Sequence, residues 1–519
     1  MSYEGFTRRH FFFGSLLAGT VPSAGFGSTP SLKMLGYKSP NEKLNIASIG
    51  AGGKAASDIR GCAGTENIVA LCDVDDERAA AIYKQFEKPP KYKDFRKMLD
   101  KEGNGIDAVI IATPDHMHGT AAMWSMERGK HVFVQKPLVR TIWEARQMAD
   151  AAARYKVATQ MGNQGYSNEG TRQCAEMIWS NEIGNVTEVH AWTDRPIWPQ
   201  GLTEIPHEDP IPPTLDWDLW LGIANFRDYT SGGEGYPEAR FGGNFYQHFN
   251  WRGFYDFGCG ALGDMACHIL GAPNMALKLG APTSVECIKK EGVSNFQFPK
   301  TCTIKFEFAA RGNMPPVTLY WYDGLKEQPK IKGVPEGEYL GDLPRVGTGG
   351  RLQGRGAGAP AGAAGAPAAG RGPATDQTNG FVGNVFHWND AYLPGSERLR
   401  VTPDGSLFIG DKGMITTGTY GEQTRLLPVE KMRDYKFPSP LLTRSPGHYR
   451  DWIRACKGGD PACSNFNVAA PFVEWMLLGV IALRVEGKLE YDQAKMRITN
   501  NVEANKYLTP TVRKGWSIT

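Results

Sequence analysis

A glycine-rich run in the middle of the chain carries a carboxylate and an imidazole at a spacing suited to proton transfer. The run reads WRGFYDFGCGALGDMACHIL over residues 251–270, and its second half is predicted to be helical. Asp264 and His268 would then lie four residues apart on one helix face. The carboxylate would orient the imidazole and leave its other nitrogen to exchange a proton with a substrate hydroxyl. Glycine and apolar neighbours favour this role over a surface salt bridge.

Two further groups of candidate residues follow apolar runs that predict buried strands. The sequence TPDHMH at 113–118 and the sequence QKP at 135–137 each come directly after such a run. In open α/β sheets ligands bind beyond the carboxyl ends of the strands, so both loops are expected to face one ligand. His116 and His118 could supply two ligands of a metal site, but no third ligand is evident in the sequence, and we predict no metal.

A glycine turn near residue 50 is typical of a phosphate-binding site. The apolar run at 44–49 predicts a strand, and it leads through the sequence GAGGKA into a helical pattern. Gly50 would permit the tight turn, Gly52 would let the backbone approach a pyrophosphate, and Ala55 would be the small third position where the helix packs tightly on the strand. The N–H groups and the positive dipole at the start of the helix favour its negative charge.

An acidic residue at the end of the next predicted strand supports dinucleotide binding. Asp73 follows Gly52 by about 20 residues, the place where a Rossmann fold binds the adenosine ribose. A carboxylate there would repel a 2′-phosphate, which favours NAD over NADP. Asp75 and Asp76 are nearby alternatives, although they are more typical of a helix cap.

The elements that must position these residues form two patterns along the chain. Strand and helix patterns alternate through 43–162, which predicts an α/β domain with a doubly wound parallel sheet. Strand patterns at 283–290, 301–309 and 316–322 predict, for residues 163–519, an α+β domain with a mainly antiparallel sheet. The Gly/Ala/Pro-rich stretch at 347–377 lacks core-forming residues and is predicted to be a disordered insertion.

The composition of the 519-residue chain narrows the classes of partner. A formal net charge of +3 gives no indication of a nucleic-acid partner. The 24 Phe, 19 Tyr and 13 Trp favour a pocket that stacks on a small molecule such as a sugar. Nine cysteines show no metal-type CxxC pair. Cys456 with Cys463 is the pair close enough to consider for a disulfide, but the apolar patterns around most of the others favour buried, inert thiols.

The first 42 residues are predicted to be an export signal and a linker. Arg8 and Arg9 precede a short apolar stretch and a small-residue region, and together they resemble a twin-arginine signal. We therefore expect the twin-arginine machinery to export the folded protein to the periplasm or beyond. Because free NAD is scarce outside the cytoplasm, such a protein would carry a tightly bound NAD.

Four motifs and one residue occur in a fixed order along the chain: KLNIASIGAGGKA, Asp73, IATPDHMH, VQKPL and GALGDMACH. Together they resemble the Gfo/Idh/MocA oxidoreductases. That family contains glucose-fructose oxidoreductase and inositol dehydrogenase. The resemblance implies hydride transfer between NAD and a sugar, polyol or glycoside hydroxyl, in a dimer or tetramer. The catalytic residues that it implies are Lys136, Asp264 and His268. The cofactor-binding residues predicted from the motifs are Gly50, Gly52, Gly53, Asp73, Thr113, Pro114, His118, Lys136 and Pro137.

The implied roles can be stated residue by residue. Lys136 would contact the reacting hydroxyl and the nicotinamide ribose, while His268, held by Asp264, would accept the hydroxyl proton. Asn163 and His118 loosely match pocket-lining positions. Gln135 stands where the family usually has glutamate, so the expected glutamate partner of Lys136 is missing.

Two other functions remain open from the sequence. An NAD-dependent glycosidase would oxidise a sugar transiently, eliminate the glycosidic group and re-reduce the sugar. A non-catalytic sugar-binding or nucleotide-binding protein would use the same pocket without turnover.

Overall fold

The computed structural model describes residues 41–232, 244–342 and 404–518. The predicted export signal at 1–42 falls almost entirely outside the described residues, and the predicted insertion at 347–377 falls wholly outside them. Within the described ranges, no helix is both long enough and apolar enough to cross a membrane.

The first domain is built on a six-stranded parallel sheet with the order β3-β2-β1-β4-β5-β6. This order reverses direction beside β1 and confirms the predicted doubly wound sheet. Its strands are β1 (Asn45–Ile49), β2 (Asn67–Cys72), β3 (Lys91–Tyr92), β4 (Ala108–Ile111), β5 (His131–Val134) and β6 (Thr159–Met161). Its helices are α1 (Lys54–Ala63), α2 (Asp76–Gln85), α3 (Phe95–Glu102), α4 (His118–Glu127) and α5 (Ile142–Tyr155).

Local sequence explains where these helices begin. Thr141 and Glu144 form a capping box at the start of α5, each side chain bonding the other's backbone N–H. The side chain of Asp75 accepts the N–H groups of Glu77 and Arg78 at the start of α2. Asp75 is therefore the helix cap that its position in the sequence suggested.

The second domain contains a nine-stranded sheet with the order β13-β12-β11-β7-β10-β9-β8-β14-β15. All neighbouring strands are antiparallel except β7 and β10, which confirms the predicted mainly antiparallel sheet. The strands are β7 (Val186–Trp192), β8 (Ser284–Glu291), β9 (Thr301–Phe308), β10 (Val317–Asp323), β11 (Gly405–Gly410), β12 (Met414–Thr417), β13 (Arg425–Leu427), β14 (Leu489–Asp492) and β15 (Arg497–Ile498).

Helices of the second half join the two domains. They are α6 (Glu169–Trp179), α7 (Trp217–Leu221), α8 (Cys267–Ile269), α9 (Gly271–Ala276), α10 (His448–Cys456) and α11 (Phe466–Ala482). Glu474 of α11 receives a bidentate ion pair from Arg146 of α5, while Trp475 packs edge-on against Phe306 of β9 with ring centroids 5.3 Å apart. One continuous core therefore extends across both domains.

The cysteines do not cross-link the chain. All nine lie in the described ranges and none of them is in a disulfide, so the favoured prediction of thiols without a disulfide is confirmed and the disulfide considered between Cys456 and Cys463 is absent. Cys456 is buried in α10, and the thiol of Cys463 lies 3.2 Å from the hydroxyl of Ser167 instead.

A buried carboxyl in the sheet should make stability depend on pH. Burial raises the pKa of Asp323 from 3.8 to about 7, although Cys302 N–H donates to its Oδ1 at 2.7 Å. Between these values the folded protein keeps a proton that the unfolded chain loses, so the free energy of unfolding falls as the pH rises from about 4 to 7. Asp323→Asn should reduce this slope by about 1.4 kcal/mol per pH unit.

Urea unfolding of the wild type and Asp323→Asn at pH 5 and pH 7 measures the slope. Asp228→Asn is the control, because Asp228 is exposed. Equal slopes in wild type and Asp323→Asn would contradict the raised pKa.

Candidate active site

The glycine turn between β1 and α1 has the geometry of a phosphate cradle. Gly50 adopts a φ of +92° and donates its N–H to the carbonyl of Cys72 at 2.8 Å. A Cβ at Gly50 would lie 2.6 Å from the carbonyl oxygen of Ala112, so no larger residue fits. No side chain caps α1 at Gly53, which leaves the N–H groups of its first turn to a ligand.

Asp73 lies at this turn, where the sequence predicted the ribose-binding carboxylate. Its Oδ2 accepts the N–H groups of Ala51 at 2.8 Å and Gly52 at 3.0 Å. Burial raises the pKa of Asp73 in spite of these hydrogen bonds. Arg78 covers the same turn, since its Nη2 lies 2.5 Å from the position of a Cβ on Gly53. Arg78 was missed in the sequence, although it follows Asp73 by five residues.

The loops after β4 and β5 are tied together by His118. Its Nδ1 lies 2.7 Å from the carbonyl oxygen of Pro137, and its Nε2 lies 3.0 Å from that of Thr113. Burial lowers the pKa of His118 to about 4, so the ring is neutral and can donate to one of the two carbonyls. Because both ring nitrogens face protein carbonyls, His118 holds the two loops together and has no ring nitrogen left for a cofactor. Contacts of Thr113, Pro114 and Pro137 with a cofactor remain predictions.

His116 is a core histidine. Its Nε2 lies 3.1 Å from the carbonyl oxygen of Trp220, and its ring packs against both Trp220 and Phe257. Burial lowers its pKa to about 3. In the part of the chain that the structure describes, no three His, Cys, Asp or Glu side chains are grouped to hold a metal ion.

Lys136 and Asp264 form the charged centre of the site. The Nζ of Lys136 donates to Oδ1 and to the carbonyl oxygen of Asp264, each at 2.6 Å. Arg252 Nε donates to the same Oδ1 at 2.9 Å, and Arg195 Nε lies 3.9 Å from Oδ2. Burial alone would raise the pKa of Asp264, but these three cations hold it well below its usual range. Lys136 therefore has a carboxylate partner despite Gln135.

The predicted hydrogen-bonded pair of Asp264 and His268 was wrong. Residues Leu262–Ala266 form a π-helical turn, and the side chain of Asp264 is directed to the cations. His268 Nδ1 is buried with no hydrogen-bond partner among the described residues. The ring instead packs edge-on against Tyr420, with centroids 4.8 Å apart. The π turn and the attraction of three cations together explain the difference.

His268 nevertheless has the state that a proton acceptor needs. Burial, followed by the charge of Lys136, lowers the pKa of His268 well below its usual value. Its imidazole is therefore neutral near pH 7, and its Nδ1 has no hydrogen-bond partner among the described residues. The side chain of Asn163 also lacks hydrogen-bond partners. Its carboxamide is fully buried, and neither of its polar atoms has a partner among the described residues.

Sequence reasoning missed four other residues of the site. These are Asp115, Arg195, Arg252 and Tyr420. Burial raises the pKa of Asp115 to about 7, although Arg252 and Lys136 oppose the shift. Arg252 is the second residue of the run at 251–270 that carries Asp264 and His268. Its nearness to them in the sequence could therefore have indicated a place in the site. Arg195 and Tyr420 come from distant segments and had no local signal.

The residues present fit a dinucleotide. The glycine cradle, the uncapped start of α1 and Asp73 lie after β1 and β2, and Lys136 follows β5 at the same carboxyl edge of the parallel sheet. Lys136 can donate a proton to a developing oxyanion, and neutral His268 can accept one from a hydroxyl. This arrangement is suited to oxidation of an alcohol beside a nicotinamide.

Two family models match parts of the chain. Residues 44–163 match the NAD-binding Rossmann fold of the Gfo/Idh/MocA oxidoreductase family, and residues 179–287 match the C-terminal alpha/beta domain of that family. The first domain is therefore an NAD-binding Rossmann domain, and part of the second resembles the C-terminal domain of this oxidoreductase family.

Individual relatives are more distant. The alpha-N-acetylgalactosaminidase of Shewanella oneidensis is 32% identical over 187 residues, covering 31% of this chain and 40% of that protein. A glycosyl hydrolase family 109 protein of a Shewanella species is 34% identical over 140 residues, covering 25% of this chain and 30% of that protein. The chain thus matches less than half the length of these relatives.

A solved structure shares the overall fold. The WlbA dehydrogenase of Bordetella pertussis, crystallised with NADH and UDP-GlcNAcA, superposes with a TM-score of 0.52. The match covers 87% of this chain and 99% of that chain at 14% identity. At this identity the likeness shows the fold.

Substitution of the first turn glycine should weaken cofactor binding. Gly50→Ala places a methyl group 2.6 Å from a carbonyl oxygen at a positive φ, so we expect at least a tenfold weaker NAD affinity and about 1–3 kcal/mol of destabilisation. Gly64→Ala is the matched control, because Gly64 has a φ of −64° and open space around its Cβ position. Fluorescence titration with NADH and thermal unfolding measure both effects. Wild-type NAD affinity in Gly50→Ala would contradict the cradle.

Proposed function

We propose that this protein is an NAD-dependent oxidoreductase that transfers a hydride between a sugar, polyol or glycoside hydroxyl and the nicotinamide. The observation that carries the proposal is the contact of Lys136 with Asp264 beside neutral His268, at the edge of an NAD-binding sheet. Alcohol oxidation needs a proton acceptor, a hydrogen-bond donor that stabilises the developing alkoxide, and a hydride acceptor.

Each residue has a defined task in this reaction. Bound NAD supplies the hydride acceptor. Lys136 uses two of its three N–H groups on Asp264 and keeps one for the oxygen of the substrate. His268 accepts the hydroxyl proton, and Lys136 stabilises the alkoxide as its charge develops. Arg252 and Arg195 keep Asp264 anionic, so that Lys136 stays in place.

Tight binding of NAD is part of the proposal. Asp76 N–H donates to Thr214 O at 3.1 Å, and Asp216 N–H donates to Val74 O at 2.9 Å. A segment of the second domain thus pairs with the loop that carries Asp73, and we propose that this segment covers the adenosine end of bound NAD. Arg252 lies near enough to Arg78 to contribute to the lowering of its pKa, after burial. Arg252, which contacts Asp264, therefore also lies close to Arg78, the residue that covers the glycine turn.

A second candidate is an NAD-dependent glycosidase. The observation that favours it is the name of the relatives, an alpha-N-acetylgalactosaminidase and glycosyl hydrolase family 109 proteins. Oxidation of a sugar hydroxyl would acidify the neighbouring C–H, and loss of that proton would expel the glycosidic oxygen. Water would then add to the unsaturated ketone in place of the expelled group, and return of the hydride would re-reduce the ketone, so that the net reaction is hydrolysis. A protein that retains its NAD is suited to this chemistry.

Removal of the proton-transfer groups should separate an enzyme from a binding protein. We expect His268→Ala and Lys136→Ala to lower kcat by at least a hundredfold, because positioned acid–base groups contribute on that scale. NAD content and sugar binding should persist in His268→Ala. The control is His207→Ala, since His207 is exposed. Loss of turnover with binding intact excludes a mere binder, whereas unchanged turnover contradicts the assigned roles.

Incubation with nitrophenyl glycosides and no added NAD separates oxidoreductase from glycosidase. The protein is purified without cofactor, and mass spectrometry identifies the nucleotide released on denaturation, which we expect to be NAD at about one per chain. Under the lead proposal free sugars yield stoichiometric NADH and glycosides release no nitrophenol. Catalytic release of nitrophenol would instead establish the glycosidase.

Export and assembly remain predictions. We propose that the paired arginines Arg8 and Arg9 direct the folded, NAD-loaded protein to the twin-arginine machinery. A homodimer or homotetramer is proposed from the resemblance to the family.

A further inference from the structure

A buried carboxylate outside the catalytic centre connects the cofactor cradle to Lys136. Asp58 lies in α1, one turn after the glycine turn, and is fully buried. A buried carboxylate is costly unless donors surround it. Three donors do so: Lys54 Nζ at 2.7 Å and the Tyr449 hydroxyl at 2.6 Å bind Oδ1, and Gln135 Nε2 at 2.8 Å binds Oδ2.

Gln135 is held in one orientation. Its backbone N–H donates to Ile111 O at 2.9 Å, and its side-chain Oε1 lies 3.3 Å from the N–H of Lys136. On the other side a Cβ at Gly162 would lie 2.7 Å from the carboxamide carbon, so only glycine leaves space there. The carboxamide therefore presents its NH₂ to Asp58 and its oxygen to the backbone of Lys136.

The chemistry of this contact explains why an amide stands at position 135. A glutamate there would face Asp58 with oxygen against oxygen and no hydrogen between them. Such a pair of buried carboxylates would have to take up a proton or move apart. Movement of residue 135 would shift the backbone of Lys136, whose Nζ is fixed separately by Asp264.

We propose that Asp58 is a positioning residue for Lys136, acting through the carboxamide of Gln135. Two carboxylates then place the lysine: Asp58 fixes its backbone relative to the cofactor helix, and Asp264 fixes its amine. The consequence for the reaction rests on the proposed oxidoreductase function, whereas the coupling of Asp58 to Lys136 does not.

The test is a double-mutant cycle of Asp58→Asn and Gln135→Glu. In the double variant the amide and the carboxylate exchange places, so the hydrogen bond can form again. Gln200→Glu is the matched control. Gln200 is equally buried but donates to Pro299 O at 2.6 Å in the second domain, so it reports the general cost of a buried carboxylate.

The readouts are kcat/KM across pH and the rate at which acetic anhydride labels Lys136, followed by peptide mass spectrometry. We expect Gln135→Glu to lower kcat/KM at least tenfold at pH 8 and to recover relative to wild type as the pH falls to 5, because one proton restores the hydrogen bond. The labelling rate should change at least threefold, and the double variant should return both quantities to within threefold of wild type.

Gln200→Glu should leave the labelling of Lys136 unchanged even if it lowers stability. Wild-type behaviour of Gln135→Glu, or a double variant no better than that single variant, would overturn the proposal. If the wild type oxidises no sugar, the proposed function fails, and the labelling cycle still decides whether Asp58 positions Lys136.

Discussion

The carboxylate of Asp264 is surrounded by three cations, and the geometry of the site depends on how that negative charge is shared. Lys136 and Arg252 both contact Oδ1, and Arg195 approaches Oδ2. The three cations come from three separate segments, so one side chain fixes the relative positions of the lysine loop and two segments of the second domain. A neutral residue at 264 would deprive Lys136 and Arg252 of the carboxylate that both of them contact.

The surrounding structure makes this concentration of charge possible. Pro137 lies beside Gly263, where a Cβ would be 3.6 Å from the proline ring, so the lysine loop approaches the π turn closely. The π turn also makes the carbonyl of Asp264 available to Lys136. His118 holds the lysine loop against the loop after β4. Small residues and neutral imidazoles thus support the ions without adding charge.

The sequence was informative where the signal was local. The glycine turn, Asp73 and the alternation of strands and helices each depend on neighbouring residues, and the structure has them as expected. The partner of Lys136 was not predictable, because 128 residues separate it from Asp264. The spacing of Asp264 and His268 was interpreted with an α-helical period, which a π turn does not follow. Tyr420, which packs on His268, lies far along the chain in the described range 404–518, and no sequence motif marks it.

The helix α11 has a consequence for how a dinucleotide enters and leaves. It packs on α5 of the first domain through Arg146 and on the large sheet through Trp475, within one continuous core. Rotation of the domains as rigid bodies would expose that apolar core to water, which is costly. Local opening of the covering loops near Thr214 and Arg252 breaks far fewer contacts. We therefore expect nucleotide release to depend on local opening of these loops rather than on a hinge between the domains.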